Sequence, residues 1–359
     1  MLLVGPGKSY AVPSAAASVA QPGDVIKISA GDYRGDVATW SDNNLTICGV
    51  GGRARLFADG KSAQGKGIWV ISGNNVTVEG VEFHNAAVPD RNGAGIRTEP
   101  GASLVVRNSG FYDNQNGILA SAGASTISID RSEFARNGDG DGYSHNIYVH
   151  QIDRVTVTAS YFHEARIGHN FKSRARETVI ENSYFMDGPS GTSSYLADFP
   201  YGGKVFLRGN LFHKGPNADN SKAISFGAEG LKNPTNTLEM VHNTVVITRS
   251  GGSFLSADGG TQSVKLTANL FAGTGSPTLM TGGYASGNIV QAGNVISVAS
   301  NIPGASTIAS PNFWPNATLQ ALISLPSVLD ANYTREAPAP YTLRAISSAR
   351  KAGALQSAP

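Results

Sequence analysis

Apolar and polar residues alternate with period two in short segments that end on an aromatic. These are VTVEGVEF, LVVRNSGF, ISIDRSEF, VTVTASYF, TVIENSYF, VFLRGNLF and VKLTANLF, closing at Phe83, Phe111, Phe134, Phe162, Phe185, Phe212 and Phe271. Another segment, LEMVHNTV, closes at Val245. Period two marks strands with one buried face, and no helical period competes with it in these segments. Most segments recur after about 23 to 28 residues, the length of a solenoid coil. Stacked in parallel, such coils place the phenylalanines in an internal ladder with rungs about 4.8 Å apart.

A second column stands two residues before each aromatic: Val81, Ser109, Ser132, Ser160, Ser183, Asn210, Asn243 and Asn269. Small polar side chains at a coil corner can satisfy backbone groups that a sharp turn leaves open. A β-sandwich gives no reason for both columns to recur together. The pattern therefore predicts an all-β fold, a right-handed parallel β-helix of about ten coils. PSAAASVAQPGD predicts a short helix capping the open N-terminal end, followed by the strand VIKIS. The expected division is a β-helix with its cap over residues 1–300 and an irregular extension over 301–359, Pro-rich, packing back on the coils.

Another strand follows each phenylalanine, and aligning the large apolar residues sets its register. The inward column reads Ile96, Ile118, Ile147, Phe171, Leu196, Ile224, Phe254, Leu279, and the outward one Arg97, Leu119, Tyr148, Lys172, Ala197, Ser225, Leu255, Met280. SHNIYVHQ and IGHNFKSRAR become neighbours, with Tyr148 beside Lys172 and His150 beside Arg174. A lone Lys on a strand is ordinarily a solvated face. Aligned titratable groups on adjacent coils make Lys172, Arg174, Tyr148 and His150 the candidate catalytic set. His145, His169, Asn146, Asn170, Arg97, Glu99, Tyr195 and Tyr201 are the candidate substrate-binding residues around it. Asp198 falls on the inward register and is read as a turn or buried residue.

Charged residues make up only 15% of the chain and the net charge is +2, which gives no global case for a nucleic-acid partner. The 43 glycines suit tight turns. Cys48, the one cysteine, excludes an intrachain disulfide and is expected to pack in the interior. No apolar run is long enough to span a membrane. The opening MLLVGPGKSYAVPS lacks the regions of a signal peptide, and the expectation is a periplasmic or secreted monomer whose signal has been removed. In NGDGDGYS, Asp139 and Asp141 offer hard oxygen ligands, so calcium is the one cofactor considered, against the commoner reading of an Asp-Gly turn.

On these residues the sequence resembles the pectate-lyase-like superfamily of right-handed parallel β-helix proteins, over residues 8 to 300. The opening SYAVPSAAASVAQPGDVIKISAGDYRGDV is similar to that superfamily's N-terminal cap and first coil. GHNFKSRA followed by SSYLADFPYGG resembles bacterial β-helix proteins acting on polysaccharides. Lyases of the chondroitinase B and alginate lyase type use a Lys and an Arg on adjacent coils, and the resemblance implies Lys172 as the base. The DPHD motif of mannuronan epimerases is missing. Fold alone fixes no function, since β-helices also serve as adhesins and tailspikes.

The function expected is a polysaccharide lyase that cleaves an acidic, uronate-containing glycan by β-elimination. Arg174 or a cation would neutralise the carboxylate, Lys172 would take the C5 proton, and Tyr148 or His150 would protonate the leaving oxygen. The rivals are a glycoside hydrolase, which needs two carboxyl groups, and a non-catalytic glycan-binding β-helix.

Overall fold

The computed structural model describes residues 1–273, 277–292 and 294–298. The extension expected over 301–359 lies outside the described residues. Short strands wind into a parallel β-solenoid of about 11 turns, almost without helix. The helix Pro13–Ala17 stands at the start with proline in its first turn, and both the backbone N–H and the Oγ of Ser14 donate to Asp36.

One full coil shows the construction: Leu104–Arg107, Gly110–Tyr112 and Asn116–Ala120 are its three strands. The third strand of each coil joins a separate 10-stranded parallel sheet, while the first two belong to a 21-stranded one. Between first and second strands the chain turns through a residue with positive φ: Asn108, Arg131, Ala159, Asn182, His242 and Ala268 all adopt it, with glycine at positions 80 and 209. A non-glycine residue there carries strain of about 1–3 kcal/mol, which the surroundings must over-determine.

The Ser/Asn column supplies that restraint. Val81 N–H donates to Ser109 Oγ, Ser109 N–H to Ser132 Oγ, Ser132 N–H to Ser160 Oγ, and Ser160 N–H to Ser183 Oγ. The chain of bonds continues from Ser183 through Asn210, Asn243 and Asn269 to Asn294 Oδ1. Each asparagine from 210 onward also donates its Nδ2 to the carbonyl of an earlier coil, as Asn210 does to Ile180. Beside this column the phenylalanines stack as expected. Ring centroids are 5.0, 4.5, 4.6, 5.0 and 4.9 Å apart from Phe83 to Phe212. Trp40 and Trp69 close the stack at its N-terminal end with edge-to-face contacts.

Cys48 is not an interior residue. It pairs in register with Lys27 and Glu79 on the outward side and is half-buried in a cleft wall.

The larger sheet also carries a half-buried ion cluster. His163 donates from Nε2 to Glu133 at 3.1 Å and from Nδ1 to Glu164 at 2.9 Å, and Tyr112 Oη donates to Glu133 at 2.8 Å. Burial pushes the Glu133 carboxyl up, but the hydrogen bond and charge of His163 outweigh it and hold the group at about 2. Burial likewise pushes His163 down and the two carboxylates outweigh it, so its pKa is raised. Glu133 therefore contributes stability above the ordinary carboxylate range, and that stability is lost as pH falls toward about 2. His163 contributes stability below the ordinary imidazole range, lost as pH rises through its raised value. Melting temperature is expected to drop steeply between pH 4.5 and 2.5. Glu133→Gln should lower it at pH 6 and flatten the acid decline, and an unchanged acid limb would show that the cluster does not control it.

Candidate functional site

The outward column of the smaller sheet runs Val70, Arg97, Leu119, Tyr148, Lys172, Asp198, Ser225, Ser256 and Thr281. Tyr148 lies opposite Lys172 as the sequence pattern predicted. Val149 pairs with Ser173, which brings His150 alongside Arg174, and Arg174 N–H continues the ladder to the Val149 carbonyl at 2.9 Å. Ile224 and Ser225 stand as expected, but the register is corrected by one residue at Ala197–Asp198, at Leu255–Ser256 and at Met280–Thr281. Phe171 pairs with Ala197, not Leu196, and Ile224 with Leu255, not Phe254. A one-residue slip exchanges the two faces, so Asp198 moves to the outward column beside Lys172, where neighbouring side chains keep it buried.

Lys172, Arg174 and Tyr148 form one unit. Lys172 Nζ stands 5.3 Å and the Arg174 guanidinium 5.0 Å from the Tyr148 ring centre. Tyr201, on the turn after the next strand, presents its ring to Arg174 at 4.7 Å and to Lys232 at 4.0 Å. Segment 227–236 folds back over the strands: Glu229 N–H donates to the Pro200 carbonyl and Asn233 Nδ2 to the Ala175 carbonyl. This brings the Glu229 carboxylate onto both cations, with Oε1 3.1 Å from Lys172 Nζ and Oε2 on Arg174. Burial pushes the Glu229 carboxyl up, and the charges of Lys172 and Arg174 more than reverse that, leaving it lowered. The sequence pattern does not mark Glu229, which sits in a loop beyond the aligned strand where no repeat column falls.

The histidines divide into two kinds. His145 and His169 stack at 4.5 Å and are buried. His145 Nδ1 accepts from the His169 N–H, and His169 Nδ1 from the Tyr195 N–H. Burial first, then the nearby cations, holds both well below the usual imidazole range, so both are neutral. His169 directs Nε2 toward Asp198 Oδ2 at 3.5 Å. Burial lifts the Asp198 carboxyl to about 7, and its Oδ1 has no hydrogen-bond partner among the described residues. His150 is more open: its Nδ1 accepts from the Gln151 N–H, and burial, with the charge of Arg97 next, lowers its pKa.

Several expected binding residues have other duties. Asn146 and Asn170 are fully buried rungs of an inner amide ladder, in which Asn137 donates to Asn146, Asn146 to Asn170 and Asn170 to Asp187. They position the strands and cannot touch a ligand. His145 and His169 lie beneath the floor in the same way. Glu99 pairs with Lys66 at 2.7 Å. Arg97 stays on the outward column, half-buried, with Nε unpartnered among the described residues. Tyr195 covers His169, with ring centres 4.9 Å apart.

In the loop of the candidate calcium ligands both aspartates have partners of their own. Asp141 Oδ1 accepts from the Tyr143 and Ser144 N–H groups and from Ser144 Oγ, closing an Asx turn, while Asp139 pairs with Arg91. No group of three or more His, Cys, Asp or Glu side chains converges to hold an ion among the described residues.

Residues 38–212 match the family described as the right handed beta helix region. The fold is that of a right-handed parallel β-helix. Among solved structures, the chain is similar to the pectate lyase Pel9A, with a TM-score of 0.61 and 15% identity over 97% of this chain and 88% of that one. An alginate lyase from Paenibacillus sp. str. FPU-7 gives a TM-score of 0.47 and 15% identity over 78% of this chain and 95% of that one. A Geobacillus virus E2 protein, ORF18, gives 0.48 and 14% over 80% and 55%. At such identities the likeness concerns the fold. No curated protein matches by sequence.

Proposed function

We propose that the protein is a polysaccharide lyase acting on a uronate-containing glycan outside the cytoplasm, with its chemistry on the Tyr148–Lys172 strand pair. The observation that carries this reading is the carboxylate held between Lys172 and Arg174 over the Tyr148 ring. Two cations arranged to take one carboxylate are what a uronate needs when its C5 proton is removed. Arg174 neutralises the sugar carboxylate, Lys172 in its free-amine form takes the C5 proton and becomes an ammonium, and the C4–O bond breaks as the C4–C5 double bond forms. The departing oxygen takes a proton from a nearby acid.

Of the two acids considered, the geometry favours Tyr148. His150 is neutral with Nδ1 engaged by the backbone, and a neutral imidazole N–H is a poor proton donor. Tyr148→Phe is therefore expected to reduce kcat by about 100-fold or more, and His150→Ala by less than about tenfold. The reverse order would move the acid to His150. The reaction itself is tested by incubating pectate, alginate, hyaluronan and neutral glucans with the protein and following the ultraviolet absorbance of the unsaturated product. Unsaturation from an acidic glycan supports the reading, and cleavage without it favours hydrolysis.

The hydrolase reading has one observation of its own. Asp198 and Glu229 are carboxyl groups whose pKa values are pushed in opposite directions, as acid and base would need. Asp198 is only 2% exposed, however, which sets it behind the floor that a sugar would touch.

A further inference from the structure

The ion pairs of Glu229 suggest more than structural support. Its side chain is 36% exposed, whereas Lys172 and Arg174 are 12% and 14% exposed. The two cations are thus held in a largely dehydrated place and are satisfied there by the one carboxylate that solvent reaches. The backbone of this turn is fixed independently of the side chain: Gly227 N–H donates to Phe199, Glu229 N–H to Pro200, Gly230 N–H to Gly227 and Lys232 N–H to Tyr201. Glycines at 227 and 230 adopt positive φ, 82° and 87°, which lets the turn present residue 229 directly over the strand pair. A rotamer change of Glu229 into solvent frees both cations without moving the loop.

We propose that Glu229 is an internal stand-in for the ligand carboxylate, a built-in competitor that an acidic sugar must displace. This rests on the reading of Lys172 and Arg174 as the seat of a uronate carboxylate. A sugar that brings its own carboxylate exchanges one set of charge-assisted bonds for an equivalent set, and Glu229 regains full hydration. A neutral sugar, or a uronate whose acid is esterified, must either leave Glu229 in place or strand two poorly hydrated cations, a costly arrangement. Arg174 sharpens the penalty, since its Nε is already buried without a partner among the described residues. An uncharged sugar is therefore confined to binding with Glu229 left in place, and the competition weakens binding of the acidic ones alone.

The test uses galacturonate, glucuronate and mannuronate monosaccharides, which contain no glycosidic bond to cleave, each beside its methyl ester. Dissociation constants are measured by ligand-observed NMR for wild type, Glu229→Gln and Glu229→Ala, with melting temperatures as the fold control. Removing the internal competitor should tighten binding of at least one free acid by about tenfold and leave the esters unchanged. Arg174→Gln should abolish that gain. Equal or weaker binding of the acids in both Glu229 variants overturns the proposal, as does an equal gain for esters or no binding of any acid to any variant. Tighter acid binding without an unsaturated product from any polymer keeps the role of Glu229 and removes the lyase reading. Unsaturated product with unchanged acid affinity does the opposite.

Discussion

Lys172→Ala is expected to cut the rate of unsaturated-product formation by about 100- to 10,000-fold, the usual cost of removing a general base, with little loss of melting temperature. The side chain stands on the outward column and contributes nothing to the phenylalanine stack. Lys172→Arg separates charge from proton transfer. A guanidinium keeps the positive charge over Tyr148 but cannot accept a proton at ordinary pH. Substrate binding should therefore survive in Lys172→Arg while turnover fails as badly as in the alanine variant. Substantial turnover in Lys172→Arg would show that the position supplies only charge, and the base would have to be sought elsewhere on the floor.

Phe134→Ala should cause the largest stability loss of any single truncation in the stack. Phe134 is fully buried and lies between Phe111 and Phe162 at 4.5 and 4.6 Å, the closest pair of spacings in the ladder. Truncating a buried phenylalanine costs about 3–5 kcal/mol, and parallel rungs on both sides hinder collapse of the cavity. Chemical denaturation followed by circular dichroism reads the change. A loss below about 1 kcal/mol would mean that the coils relax around the gap and that the axial hydrogen bonds, not the rings, hold neighbouring turns together.

The architecture was legible because a solenoid repeats its constraints. A residue type needed once per coil is needed in every coil, so Phe111 and Ser109 announce their columns by recurring. The register of the smaller sheet was legible through Lys172 for the same reason and failed at Leu196 for a physical one. The position preceding the inward residue is held by Asn146 and Asn170, but by Leu196 and Phe254 in later coils. Where that polar column turns apolar, two large hydrophobic positions compete for one place in the alignment. Choosing the larger residue hid Asp198. Glu229 was illegible for a different reason: it reaches the site from a loop whose position depends on tertiary hydrogen bonds to Pro200 and Tyr201, and loops carry no period. Asn146 and Asn170 misled because an amide beside a cation looks the same in sequence whether it faces ligand or axis.

The Ser/Asn ladder has a direction. In every rung from Val81 to Asn269 the backbone N–H belongs to the earlier coil and the accepting oxygen to the later one. A coil leaving the ribosome therefore has a dangling donor until the next coil emerges and supplies its acceptor. Synthesis delivers those acceptors in the order in which they are needed, so growth from the N-terminal cap can proceed as a ratchet, each turn locking its predecessor. Refolding of the full-length chain from denaturant has no such timetable, and a donor can meet the acceptor of the wrong coil, one register away.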